Sequence, residues 1–256
     1  MGSELCRRTA HGIGLTPAGR IVAALADRMF DELRSLPAAV AEAEGVVEGL
    51  LTIRAVSGVV SAELDATLDS IRRRYPGIRL RIDVAPCRIV LDALLRGQAE
   101  VSIAFAGSRQ GNLHYEPLVR EYQQLYCSAS HPLFGASVDN PEMLAPERFV
   151  LTGSDEPEDV AHFRRRYGLG EFVSGEAENL EEAKRMISVG VGIGFLPTVL
   201  AERSGERVTL WPLLPRHMLP NYLLYLITRS EAQQTLPTQV FLREIRRRLD
   251  ARGTPV

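Results

Sequence analysis

Residues 49–105 read GLLTIRAVSGVVSAELDATLDSIRRRYPGIRLRIDVAPCRIVLDALLRGQAEVSIAF, and the rhythm of this stretch decides the fold. Leu50–Val56 is an apolar run of strand length. Leu64, Leu68, Ile71 and Tyr75 recur at helical spacing, and Pro76-Gly77 stops that helix. Ile78, Leu80, Ile82 and Val84 alternate with charged residues, which predicts a half-buried strand with these four on one face. Ile89–Leu95 reads as a helix closed by Gly97, and Val101–Phe105 as a further strand. Strand, helix, strand, helix, strand implies a parallel sheet with helical crossovers.

Downstream the scheme continues less regularly. Tyr122–Ser128, Phe149–Thr152, Phe172–Ser174, Val208–Leu210 and Tyr222–Thr228 read as strands. Glu158–Tyr167, with Asp155 or Glu156 near its cap, Asn179–Val189 and Thr238–Leu249 read as helices. Gly190, Gly192 and Gly194 lead into a buried strand ending at Leu196-Pro197. They make a tight turn and do not open a phosphate-binding helix.

Upstream, Thr16-Pro17 is a helix start, with Thr as N-cap and Pro at the first helical position. From there apolar residues fall at Val22, Leu25, Met29, Leu33, Leu36, Val40, Ala43 and Val47, in steps of 3, 4, 4, 3, 4, 3 and 4. That heptad seam favours pairing with another helix over burial in the same domain. Pro37 predicts a kink, or the end of one helix and the start of another, near Leu36.

The chain has 256 residues, 30 Lys+Arg against 32 Asp+Glu, and a net charge of −2, which excludes a uniformly basic nucleic-acid coat. Of those 30 basic residues only Lys184 is lysine, so lysine-dependent covalent chemistry is disfavoured. Cys6, Cys87 and Cys127 are too sparse for a disulfide framework. No apolar run is long enough to span a membrane, and the first residues lack the apolar core of a signal peptide. The expected address is cytoplasmic. His11, His114, His131, His162 and His217 show no metal-ligand spacing, and neither a P-loop nor a nucleophile elbow is present. No metal, cofactor or catalytic residue is therefore expected. Arg164-Arg165-Arg166 and Arg246-Arg247-Arg248 read as solvated helix faces.

Several short motifs follow one another in a known order. They are Leu5-Cys6-Arg7-Arg8, Gly14-Leu15-Thr16-Pro17-Ala18-Gly19, Gly49-x-Leu51-x-Ile53, Arg74-Tyr75-Pro76, the stretch Leu94 to Phe105, Pro117-Leu118, His131-Pro132-Leu133, and Gly190-x-Gly192-Ile193-x-x-Leu196-Pro197. Their sequence resembles the LysR-type transcriptional regulators, with Glu100 standing where that family usually has Asp. The resemblance implies an α/β fold: a periplasmic-binding-protein-like (type 2) two-lobed effector domain preceded by a long linker helix. Residues 1–47 would be a wing remnant and dimerisation helix, 48–116 plus 218–256 the first lobe, and 117–217 the second. It also implies a homodimer or homotetramer that binds DNA in its full-length form and answers to a small-molecule effector.

Family members place a winged helix-turn-helix ahead of the linker, and Met1–Leu5 resembles the end of its recognition helix. The reading head is therefore expected to be largely missing from this chain. Arg7, Arg8 and His11 remain as phosphate contacts or as solvated residues.

Effector contacts are expected where strands hand over to helices, because free N–H groups and helix dipoles there favour anions. Those positions are Ser57, Gly58, Cys87, Arg88, Phe105, Thr152, Gly153 and Asn179, with Ala106, Gly107 and Ser154 alongside; the resemblance adds Phe195, near the family's cleft floor, as either core or contact. Ser57 and Ser61 either cap the next helix or bind a ligand. Arg88 either holds a carboxylate or points into solvent. Cys87 is a small buried hydrophobe or a thiol sensor. The expected effector is a small carboxylate, with Glu178 opposing a dianion. The rival readings are a plain solute-binding protein, an enzyme on the same scaffold, and a regulator acting through mixed oligomers without reading DNA.

Overall fold

A computed structural model describes residues 4–9, 12–43, 47–106, 109–153, 156–202, 210–229 and 234–252. Strands β1 (Cys6–Thr9) and β2 (Gly12–Leu15) form an antiparallel hairpin ahead of the first helix, α1 (Pro17–Ala43). Thr16 starts that helix as expected. Its Oγ1 accepts the Gly19 N–H at 3.0 Å and donates to the Glu4 carbonyl at 2.7 Å. The helix passes residue 37 as one element, so no second helix starts there. Proline's fixed φ is already the helical value, and the lost N–H bond does not end the helix. Val47 does not continue the seam: it is buried in the sheet core with Leu51, Tyr75 and Phe241.

The next elements realise the alternating pattern as β3 (Gly49–Ala55), α2 (Ala62–Arg74), β4 (Ile78–Val84), α3 (Cys87–Leu95) and β5 (Val101–Phe105). β3 pairs in parallel with both β4 and β5. The half-buried reading of β4 needs correcting. Only Ile78 is buried, while Leu80, Ile82 and Val84 are 40%, 50% and 61% exposed. β4 is the last strand of its sheet, and alternation in a sequence does not say whether an apolar face has a cover.

The remaining elements are β6 (Leu113–Ser128), β7 (Arg148–Leu151), α4 (Glu158–Arg166), β8 (Phe172–Glu176), α5 (Leu180–Ser188), β9 (Gly194–Pro197), α6 (Thr198–Glu202), β10 (Leu210–Pro212), β11 (Asn221–Arg229) and α7 (Leu236–Arg252). The sheet order is β10-β6-β11-β5-β3-β4, with β9 also on β6. β6 is the spine. From Leu113 to Tyr122 it pairs with β11, and from Gln123 to Ser128 with β9 and β10. Its first half escaped the sequence reading because Pro117 argues against a strand. Pro117 sits at a register shift: Val119 faces Leu224 and Pro117 faces Tyr225, leaving Leu118 as an extra residue turned into the core. β7 and β8 pair in parallel, and Phe149 bridges to Ile193 beside β9.

Gly190 is more than a turn. With φ +84°, it closes α5: its N–H reaches Ile187 O at 3.0 Å, and the Val191 N–H reaches Met186 O at 3.1 Å. Two basic triplets also need correcting, since neither is wholly solvated. Arg246 grips Glu116 bidentately at 2.7 and 2.9 Å, and Arg247 reaches the buried Glu244. Arg164 pairs with Glu156 at 2.8 Å and donates to the Leu169 carbonyl. Only the Arg165–Glu158 pair is fully exposed. His11, Gly107, Ser154, Asp155 and positions 208–209 of the expected strand lie outside the described residues.

Candidate functional site

Where β6 changes partners, a small cavity lies between the end of β3, the end of β5 and the starts of α4 and α5. Its walls include Ser57, Phe105, Thr152, Asn179 and Phe195, five of the nine sequence-predicted contacts. It encloses about 20 Å³, room for about one water molecule. The two sides are therefore nearly in contact. Ser57 Oγ accepts the Leu180 N–H at 3.2 Å, directly across the cavity. Leu180 is the first residue of α5, whose opening N–H groups have no acceptor within the helix.

The two serines separate cleanly. Ser61 is the cap of α2, accepting the Leu64 N–H at 3.2 Å, whereas Ser57 reaches across. Asn179 lines the cavity and also caps α5 through the Glu182 N–H at 2.9 Å. Phe105 meets Tyr222 edge to face at 5.7 Å, and Phe195 meets Phe163 at 5.8 Å, so both rings are fixed.

The other four predicted contacts stand back from the cavity. Gly58 (φ +73°) lies beside it, and a Cβ there would come within 2.6 Å of Leu180 Cδ1. Gly153 lies near the Ala177 carbonyl. Cys87 is buried with its Sγ 3.5 Å from the Phe105 carbonyl, one layer behind the wall. Arg88 is exposed on the first turn of α3 and does not line the cavity. Among the described residues, no side chain lining the cavity carries a positive charge.

Sequence reasoning missed Val56, Gln123, Pro157, Val160, Leu180 and Tyr222, which complete the lining. Gln123 Nε2 donates to the Tyr222 hydroxyl at 3.0 Å, and that hydroxyl donates to Glu121 Oε2 at 2.6 Å. Burial pushes the Glu121 carboxyl up to about 7, and the Tyr222 hydrogen bond only partly offsets this. The signal was available: Glu121 and Gln123 are polar residues two apart, which puts them on one face of a strand.

Away from the cavity, Arg7 and Arg8 are exposed on β1. Val22, Leu25, Met29, Leu33, Leu36 and Val40 are each at least 41% exposed along α1. Among the described residues, no His/Cys/Asp/Glu cluster could hold a metal, and no helix is long and apolar enough to cross a membrane.

Comparison with known proteins gives this geometry a context. Residues 44–250 match the family described as the LysR substrate binding domain. The chain belongs to that family. It is 26% identical over 251 residues to the HTH-type transcriptional activator BauR of Pseudomonas aeruginosa, spanning 96% of this chain and 81% of that protein. Among solved structures it is similar to the effector binding domain of QuiR in complex with shikimate (TM-score 0.69, 11% identity, 81% of this chain and all of that one, 100%). It is equally similar to the Synechocystis CcmR regulatory domain in complex with 2-PG (TM-score 0.69, 21% identity, 82% of this chain and 100% of that one). The fold is thus that of a LysR effector-binding domain, of the two-lobed type 2 periplasmic-binding-protein class. Curated relatives such as BauR are transcriptional regulators.

Proposed function

We propose that the chain is the effector-sensing part of a LysR-type regulator of transcription, working in the cytoplasm, and that its effector is a small monocarboxylate bound between the lobes. The observation that carries this reading is the Ser57–Leu180 hydrogen bond across a nearly closed cavity. A carboxylate is the chemical counterpart of both groups, accepting from the Leu180 N–H and from the Ser57 hydroxyl at a helix N-terminus. Thr152 and Tyr222 supply further hydroxyls, and Phe105 and Phe195 clasp an apolar body. With no cation among the described lining residues, one negative charge is favoured over two.

The lobes are taken as 48–116 plus 218–256 and 117–217, and β6 exchanges β11 for β9 at Tyr122–Gln123, a few residues past the first boundary. Residues 1–47 form the pairing arm. An effector larger than one water must hold the lobes further apart, and it shifts their arrangement only by binding one arrangement more tightly. α1 would carry that shift to a second copy through its exposed seam, and to DNA in the full-length protein, with Arg7 and Arg8 against phosphates.

Thermal-shift screening of small monocarboxylates tests the reading. A hit weakened at least tenfold by Ser57→Ala together with Thr152→Val supports it. A hit indifferent to both substitutions overturns it.

A further inference from the structure

Glu121 is 4% exposed and stands one hydroxyl behind the cavity wall. Its carboxylate accepts the Tyr222 hydroxyl, which in turn accepts from Gln123; Tyr222 and Gln123 line the cavity and Glu121 does not. Among the described residues, no cation balances the charge on Glu121. Opposite, β11 presents Tyr222 and Asn221, and Arg120, the neighbour of Glu121 on β6, is turned to Asn221 Oδ1 at 2.7 Å. β5 and β9 carry no charged residue. α4 and α3 pack on β11. On α4, Arg164 and Arg165 are held by Glu156 and Glu158, which leaves Asp159, His162 and Arg166 as its other charged or titratable side chains. α3 brings Arg88 and Asp92. None of these charges enters the balance at Glu121, which is set by burial and by Tyr222.

We propose that Glu121 sets the charge of the effector this cavity accepts: an anionic effector enters with uptake of one proton from solvent onto Glu121, relayed to the cavity by the Tyr222 hydroxyl. Two effects act in the same direction. An ionised Glu121 repels a second anion through a poorly hydrated wall. It also holds the Tyr222 proton for itself. Once protonated, Glu121 becomes the donor to the Tyr222 oxygen, and the Tyr222 O–H is released to donate to the carboxylate in the cavity. One buried carboxyl takes one proton, so a monoanion is admitted and a dianion is not. Glu121 is a positioning residue here and does not touch the effector. The inference rests on the reading of the cavity as the effector site.

The test uses matched probes: benzoate with benzamide, and cyclohexanecarboxylate with cyclohexanecarboxamide, titrated calorimetrically into the full chain from pH 6 to pH 8.5. Neither acid titrates in that range. For wild type, carboxylate affinity is expected to fall by up to about tenfold per pH unit above pH 7, while amide affinity stays flat. Glu121→Gln mimics the protonated side chain and should bind the carboxylates independently of pH. Titrations of wild type in phosphate and in Tris at pH 7.5 should show more than half a proton taken up per carboxylate, a readout that does not depend on any variant folding. Carboxylate binding without proton uptake overturns the proposal. So does a pH profile that survives Glu121→Gln, or binding of the amides alone at every pH. If none of the four probes binds, the effector reading of the cavity fails, and the proposal falls with it.

Discussion

The Ser57 hydroxyl oxygen and the Leu180 backbone N–H meet at 3.2 Å although the residues are 123 positions apart in sequence. This contact ties the loop after β3 to the start of α5. Ser57→Ala removes the acceptor and leaves the first N–H of α5 to find water. Net loss of one such bond is worth about 1 kcal/mol. Hydrogen exchange at Leu180 is expected to speed up about fivefold, with little change at buried β3 amides such as Ile53.

Glu121 makes stability depend on pH in a direction opposite to that of most paired carboxylates. Its folded-state pKa, about 7, lies above the ordinary 4.5. The folded protein therefore binds the extra proton between those values, and this group's contribution is full below pH 4.5 and lost as pH rises through 7. The span corresponds to about 3 kcal/mol. Urea unfolding at pH 5 and pH 8 should show Glu121→Gln gaining on wild type by that order at the higher pH.

Arg246 and Arg165 stand in similar triplets but differ in setting. The first holds Glu116 through a half-buried fork, whereas the second pairs with Glu158 in solvent. Arg246→Ala is expected to cost about 1–3 kcal/mol and Arg165→Ala less than about 0.5. Equal losses in denaturant midpoints would contradict this difference in burial.

Leu25 and Leu33 are 48% and 57% exposed on α1. Leu25→Asp with Leu33→Asp places two charges in the seam and should convert a sedimenting oligomer at micromolar concentration into a smaller species, with unchanged far-UV circular dichroism. A wild-type monomer under those conditions would remove the pairing role.

Much of the fold was legible because alternation and helical spacing report which face of an element is apolar. The parallel pairing of β3 with β4 and β5 and the α5 span followed from such patterns, and the Thr16 start of α1 from its Thr-Pro cap. Tertiary position was not legible. The Ile82 and Val84 face looks the same on an edge strand as in a sheet interior, and Pro117 hid half of β6 because a register shift cannot be read from one strand. In the cavity, strand-to-helix junctions led to Ser57, Thr152 and Asn179. Gln123 and Tyr222 were missed because they come from the middle of β6 and the start of β11, where no junction marks them. Arg88 stood out because a cation is disfavoured at a helix start unless it serves a ligand, yet its side chain is in solvent.

β6 and β11 run side by side up to the point where β6 changes partners. Tyr122 pairs with Asn221, and the Gln123 N–H reaches the Pro220 carbonyl at 2.8 Å. Two hydrogen-bonded strands form a ribbon that resists stretching and in-plane bending but yields to twist. On the two-lobe reading proposed above, such a joint would act as a torsion bar: occupancy of the cavity would be expressed as a twist between the lobes, an output that a long helix such as α1 would convert into displacement at its far end.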